Sequence, residues 1–161
     1  LRDQREAIMR KIAIAAIMLS CALGASAQQT PRAEPMFCDP ASYPYDAVAA
    51  APYSHRVLFE DDHVRILEIN LPALATEPIH IHALPSVLMG ETGGDIGGKF
   101  RYTEYRMENG KFVEVSHNDI EPTGGYRAVW AGPEGPHAIT NIGQVSVKFT
   151  RVEIKPESCA K

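Results

Sequence analysis

The chain has 161 residues, a formal net charge of −4 and 45% hydrophobic residues. That is one ordinary domain with a real core, which argues against a disordered tail, a fibrous repeat or two domains. There is no basic excess to neutralise phosphates, so nucleic acid is excluded as the main partner.

The chain opens with a targeting pattern. Arg10 and Lys11 precede an apolar run from Ile12 to Leu23, and Ala25-Ser26-Ala27 follows. A basic stretch, a short apolar segment and small residues at a cleavage site read as a secretory signal peptide over residues 1–27, with Met9 as the natural start. The run is shorter than the roughly 20 residues of a spanning helix. An uncleaved amphipathic anchor is the alternative. Cleavage after Ala27 leaves 12 basic and 18 acidic residues, a net charge of −6. The expectation is a periplasmic or secreted protein with no membrane attachment once the signal is removed.

Two cysteines remain after that cleavage, Cys38 and Cys159. In an oxidising compartment they most simply pair. Closing a loop of about 120 residues is worth about 4 to 5 kcal/mol in chain entropy. Two free thiols are the alternative.

Residues 28–54 are rich in Ala, Pro, Ser and Tyr and show no clean period, so they read as an N-terminal arm pinned at Cys38. From His55 the pattern becomes strand-like. His55–Phe59 and Val64–Leu71 are short β-branched runs split by Glu60-Asp61-Asp62. In the second run Arg65, Leu67 and Ile69 share one face, and Val64, Ile66 and Glu68 the other. Ile79–Leu84 and Ser86–Met89 follow. Gly90–Lys99 is a glycine-rich loop. It is no phosphate loop, because Gly98-Lys99 leads into Phe100 and not into a helix. Phe100–Met107 and Lys111–Ser116 flank Asn109-Gly110, a strong hairpin signal. Gly124-Gly125 and Gly132-Pro133 mark turns around a strand at Arg127–Trp130, and Val145–Ile154 closes the domain. Eight or nine short strands without an amphipathic helix mean an all-β sandwich or barrel, most commonly a jelly roll at this size. Residues 55–155 form the barrel and 156–161 a tail.

His80-Ile81-His82 carries the chemistry. On a strand both imidazoles face one side, and neutral imidazole is a good ligand for several transition metals. His137 follows the Pro/Gly segment Gly132–Pro136 and leads into Ala138-Ile139-Thr140-Asn141. With these residues the chain resembles the cupin superfamily, over roughly His55 to Ile154. His80 and His82 fit its first motif, with Gly93 or Gly94 as the closing glycine. His137 and Asn141 keep the spacing of the second, and Pro133 and Gly135 stand one residue closer to His137 than the motif asks. Leu74 stands where the first glycine belongs, and Ser86 or Val87 where the metal-binding glutamate belongs.

The resemblance implies a single-domain cupin-type jelly-roll β-barrel with His80, His82 and His137 as metal ligands. Three neutral ligands leave a divalent ion its full charge and open positions. The ion is one of Fe, Zn, Ni, Cu or Mn; the Irving–Williams order favours Cu or Zn, and the family favours iron. A barrel that keeps its histidines as packing is the alternative. The neutral-ligand requirement sets an expectation that metal occupancy falls below about pH 6. His63, His55 and His117 read as bland positions beside turns and strand ends. Among Arg65, Arg101, Tyr102, Tyr105, Tyr126, Arg127, Trp130 and Lys148 some must point inward; Arg101, Tyr102 and Trp130 are the candidates for gripping an anionic or aromatic small molecule. The resemblance implies a metal-dependent enzyme on a small organic molecule, oxygenase-like in chemistry, or else a non-catalytic binding barrel. Homodimer formation through sheet edges is a family-level expectation.

Overall fold

The computed structural model describes residues 35–91, 98–121 and 125–160. The segment read as a signal peptide lies outside the described residues, as does most of the glycine-rich loop.

Among the described residues nine strands follow one another: β1 His55–Glu60, β2 Val64–Leu71, β3 His80–His82, β4 Ser86–Glu91, β5 Phe100–Glu108, β6 Lys111–Ile120, β7 Tyr126–Ala131, β8 Glu134–Asn141 and β9 Val147–Ile154. They form two antiparallel sheets, ordered β1-β2-β9-β4-β7 and β3-β8-β5-β6. Most consecutive strands are split between sheets or separated within one, as in a jelly roll.

The local signals explain most elements. In β2 buried and half-buried positions alternate, and Arg65, Leu67, Ile69 and Leu71 are the buried set. The face expected from period 2 is therefore the core face, and it carries an arginine. The β5–β6 hairpin turns on Asn109 (φ 49°) and Gly110 (φ 76°), both left-handed as a type I′ turn requires. Gly90 meets β9 so closely that a Cβ there would lie 2.7 Å from Phe149 Cβ.

Two expectations need correction. β8 begins at Glu134, so Gly135 and Pro136 lie within the strand and not in a turn. It can do so because β3, at the sheet edge, pairs with it only at His80↔His137 and His82↔Glu134, with an irregularity between; no ladder hydrogen bond is demanded of the proline nitrogen there. The segment before β1 is also more than a lead-in. It forms short helices at Pro35–Cys38 and Ala47–Ala50 with a 3-10 turn, Pro40–Ser42, between them. Ala47 and Ala51 are fully buried. Asp46 caps the second helix, its side chain accepting from Val48 N. The backbone N–H of Ile81 donates to Tyr45 O at 2.7 Å, so this segment covers β3. Cys38 and Cys159 form a disulfide that ties it to the end of the chain across 121 residues.

The candidate metal centre

Register brings the histidines together. His80 and His82 are the two buried residues of β3, with Ile81 turned the other way. His80 lies opposite His137 of β8, and His82 opposite Glu134. The sequence gives these three histidines as a set, and the structure places all three on one cavity. It adds a fourth. His55, read from the sequence as a bland strand-start position, is buried on the opposite sheet and lines the same cavity. Its ring centroid lies 4.6 Å from that of His80 and 5.3 Å from that of His82. His63 is exposed, as expected; His117 is exposed too, within β6 and not after a strand as the sequence suggests.

Two overlapping groups have the spacing of metal ligands. His55, His80 and His82 bring one donor atom each within 4.8 Å of one another, and so do His82, Glu134 and His137. Imidazoles around one ion, with metal–nitrogen distances of about 2.0–2.1 Å, have ring centroids about 5 Å apart. The observed separations are 5.1 Å for His80–His82, 4.4 Å for His80–His137 and 5.7 Å for His82–His137. The set expected from sequence, His80, His82 and His137, is not itself one of the two groups, which divide it between them.

The tautomers point the same way. His80 Nδ1 lies 2.9 Å from Pro78 O, and His137 Nδ1 2.8 Å from Gly135 O. His82 Nδ1 lies 2.7 Å from a Glu153 carboxylate oxygen. His55 Nδ1 sits 3.0 Å from Ser54 Oγ and 3.3 Å from Ala51 O. Carbonyl and carboxylate oxygens only accept, so in His80, His82 and His137 Nδ1 carries the proton and Nε2 keeps a free lone pair. His80 Nε2 is buried without any hydrogen-bond partner. Buried polar atoms are paired as a rule, and a lone pair left over among other imidazoles fits a metal ligand. Outer hydrogen bonds of this kind also hold metal-ligating histidines in place.

A glutamate stands across the sheet from the position of the missing motif residue. Ser86, fully buried, occupies that position in sequence, and the residue opposite Ser86 on β9 is Glu153. Glu153 is wholly buried between a cation and a neutral donor: Arg65 Nε donates to it at 2.6 Å and His82 Nδ1 at 2.7 Å. Arg65 also donates to both oxygens of Asp46, at 2.9 and 2.6 Å. The chain Asp46–Arg65–Glu153–His82 runs from the helix cap to the cavity. Burial raises the Glu153 carboxyl, and Arg65 works against it.

Burial governs the electrostatics. It lowers His55 to about 4 and His80 to about 2, and lowers His82 and His137 as well. Burial thus favours the neutral form of all four imidazoles, the form that binds a metal. Glu77 is buried with Oε1 3.8 Å from His80 Nε2 and Oε2 3.9 Å from His55 Nδ1. Burial pushes its carboxyl up to about 7.

The cavity holds about 190 Å³ and is walled by these groups together with Ile69, Leu88, Tyr102, Ile139, Phe149 and Arg151. Of the three residues proposed from sequence to grip a small molecule, only Tyr102 lines it, stacked on His137 at 5.0 Å. Arg101 is paired with Asp119 on the outer side of the hairpin, at 2.7 Å, and Trp130 is 62% exposed. Both sit on strand positions whose side chains face away from the cavity. Asn141, the motif asparagine, is structural: its Nδ2 donates to Leu71 O and Val145 O, and its Oδ1 accepts from Gly143 N.

Comparison with solved structures finds similar folds. A cupin domain from Bordetella pertussis Tohama I is 18% identical with a TM-score of 0.45, over 63% of this chain and 92% of that one. An RmlC-like cupin family protein with a double-stranded β-helix fold from Methanocaldococcus jannaschii is also 18% identical, TM-score 0.43, over 63% and 78%. A cupin superfamily protein from Desulfitobacterium hafniense is 12% identical, TM-score 0.38, over 63% and 76%. No family model and no curated protein matches the sequence.

Proposed function

We propose that the protein is a cupin-type barrel that binds one divalent transition metal through the Nε2 atoms of His80, His82 and His137, with the His55 imidazole beside His80 and His82. The observation that carries this is the shared tautomer: three buried rings tied back through Nδ1, with His80 Nε2 left unpartnered. All-nitrogen donors suit Zn, Cu, Ni or Fe better than Mg or Ca.

The chemistry proposed is that of a metal-dependent enzyme on a small organic molecule. When bound, the metal supplies Lewis acidity and, for a redox-active ion, electron transfer. The chain's own residues supply the rest. Glu153 holds the His82 ring through Nδ1, and Pro78 O and Gly135 O hold His80 and His137. Ile69, Leu88, Ile139 and Phe149 exclude water and enclose the ligand's carbon atoms. Glu77, with its raised carboxyl, can hold or release a proton at its oxygens near neutral pH.

The disulfide between Cys38 and Cys159 supports an oxidising compartment, hence export, and no helix among the described residues is long and apolar enough to cross a membrane. Loading with Co(II) tests the site. Visible absorption bands of an imidazole-bound ion are expected in the parent and lost in His80→Ala; a colourless parent that binds no cobalt contradicts the reading. Oxygen uptake or turnover by metal-loaded protein separates an enzyme from the second reading, a barrel that only retains its ligand stoichiometrically.

A further inference from the structure

Arg151 has no part in holding a metal, yet it stands in the cavity wall. It lies on β9, the middle strand of its sheet, with its side chain turned inward and buried. Its Nη1 donates to Glu134 Oε2 at 2.5 Å. Its Nε and Nη2 are buried and make no hydrogen bond. The acid nearest Nε is Glu153, 3.7 Å away, whose oxygens are already taken by Arg65 and His82. A guanidinium carries five N–H donors in a rigid fork, and burying them unpaired is costly. An arrangement that leaves two of its nitrogens unpaired beside a cavity suits an acceptor that arrives with the ligand.

The fork matches two oxygens of one carboxylate. Beyond the histidines and the two acids Glu77 and Glu134, the wall is apolar: Ile69, Leu88, Ile139 and Phe149, with the Tyr102 ring beside His137. A volume of about 190 Å³ corresponds to roughly six waters of liquid volume, so the skeleton is short. We propose that Arg151 is the anchor for the carboxylate of a small organic acid, which places the ligand's remaining atoms against the histidine cluster. This rests on the reading of the cavity as the functional site and names its substrate class.

The test is calorimetric titration of disulfide-intact, metal-free protein with malonate and with uncharged malonamide, alongside metal content measured separately. The variants are Arg151→Lys and the double Arg151→Met/Glu134→Gln, which removes both charges and so leaves neither buried alone. Circular dichroism melts confirm that each is folded. The expected result is that malonate binds, malonamide does not, and malonate affinity falls at least tenfold in the double variant, with Arg151→Lys between. Equal malonate binding in the folded double variant overturns the proposal. So does malonamide binding as well as malonate, or no malonate binding by the parent. Arg151-dependent malonate binding in a parent that takes up no metal keeps this proposal and refutes the metal reading; normal metal uptake with Arg151-independent malonate binding does the reverse.

Discussion

Arg65 offers a sharp test of how the site is held. It is 0% exposed, and it makes three charge-assisted hydrogen bonds, two to Asp46 and one to Glu153. Arg65→Met keeps the length and apolar stem but removes the cation. Asp46 then keeps only the Val48 N–H, and Glu153 only the neutral His82 imidazole with Arg151 Nε 3.7 Å away. Breaking a buried ion pair from one side costs about 3–5 kcal/mol. A domain of this size has about 5–15 kcal/mol in all. The midpoint of thermal unfolding should fall by roughly 10–20 °C. Urea unfolding of the disulfide-intact protein, followed by far-UV circular dichroism, measures the change. Fluorescence is the poorer probe because Trp130, the single tryptophan, is already 62% exposed when folded. Arg65→Met/Asp46→Asn should recover part of the loss, because one stranded charge is gone. A loss below about 1 kcal/mol in the single variant, with the fold intact, refutes the account of Arg65 as the tether between helix cap and cavity.

Other expectations follow from the same geometry. Metal-free protein should lose stability on acidification. The four cavity imidazoles have lowered folded values, so the stability they contribute is complete above about pH 6.5 and falls as pH drops through 6.5 toward those values. Glu77 and Glu153, with raised folded values, act with the opposite sign; the four imidazoles outnumber the two carboxyls, so unfolding takes up protons on balance and stability falls with pH below about 6.5. Urea midpoints that do not change from pH 7 to pH 5 would contradict this. Reducing the Cys38–Cys159 bond should cost about 4–5 kcal/mol by chain entropy, read as a drop in urea midpoint with dithiothreitol. Leu74 holds φ at +61° while 64% exposed. Leu74→Gly removes that strain with little loss of packing and should leave stability unchanged or raise it by up to about 1 kcal/mol; a clear destabilisation would mean that the side chain has a packing role.

The residues that sequence reading located are those whose roles are set locally. Strand period fixed the face shared by Arg65, Leu67 and Ile69, and it put His80 and His82 on one side with Ile81 on the other. Asn109-Gly110 marked its hairpin because only a few residue types accept two left-handed positions. The motif spacing located His137. What sequence did not show depends on which strands meet across the barrel. His55 lies on β1, at the far edge of the other sheet, and nothing in His55–Phe59 signals that its first residue faces β3. Glu153 reaches His82 Nδ1 from β9, next to the β4 position where the motif glutamate is missing, only because Ser86 and Glu153 are paired between β4 and β9. Arg151 sat unremarked in an alternating strand, while Arg101 and Trp130, equally plausible by pattern, face outward. Leu74 departs from the motif glycine in type but keeps the left-handed backbone that favours glycine there.

The central claim is that the buried histidines bind a metal. Elemental analysis of protein purified without a His tag from an oxidising compartment tests it most directly, run beside a His80→Ala/His82→Ala variant shown to be folded. The account expects close to one transition metal per chain in the parent and none in the variant. A parent that carries none, even after reconstitution with Zn, Cu, Ni and Fe(II), would contradict it and leave the four imidazoles as polar packing in a metal-free barrel.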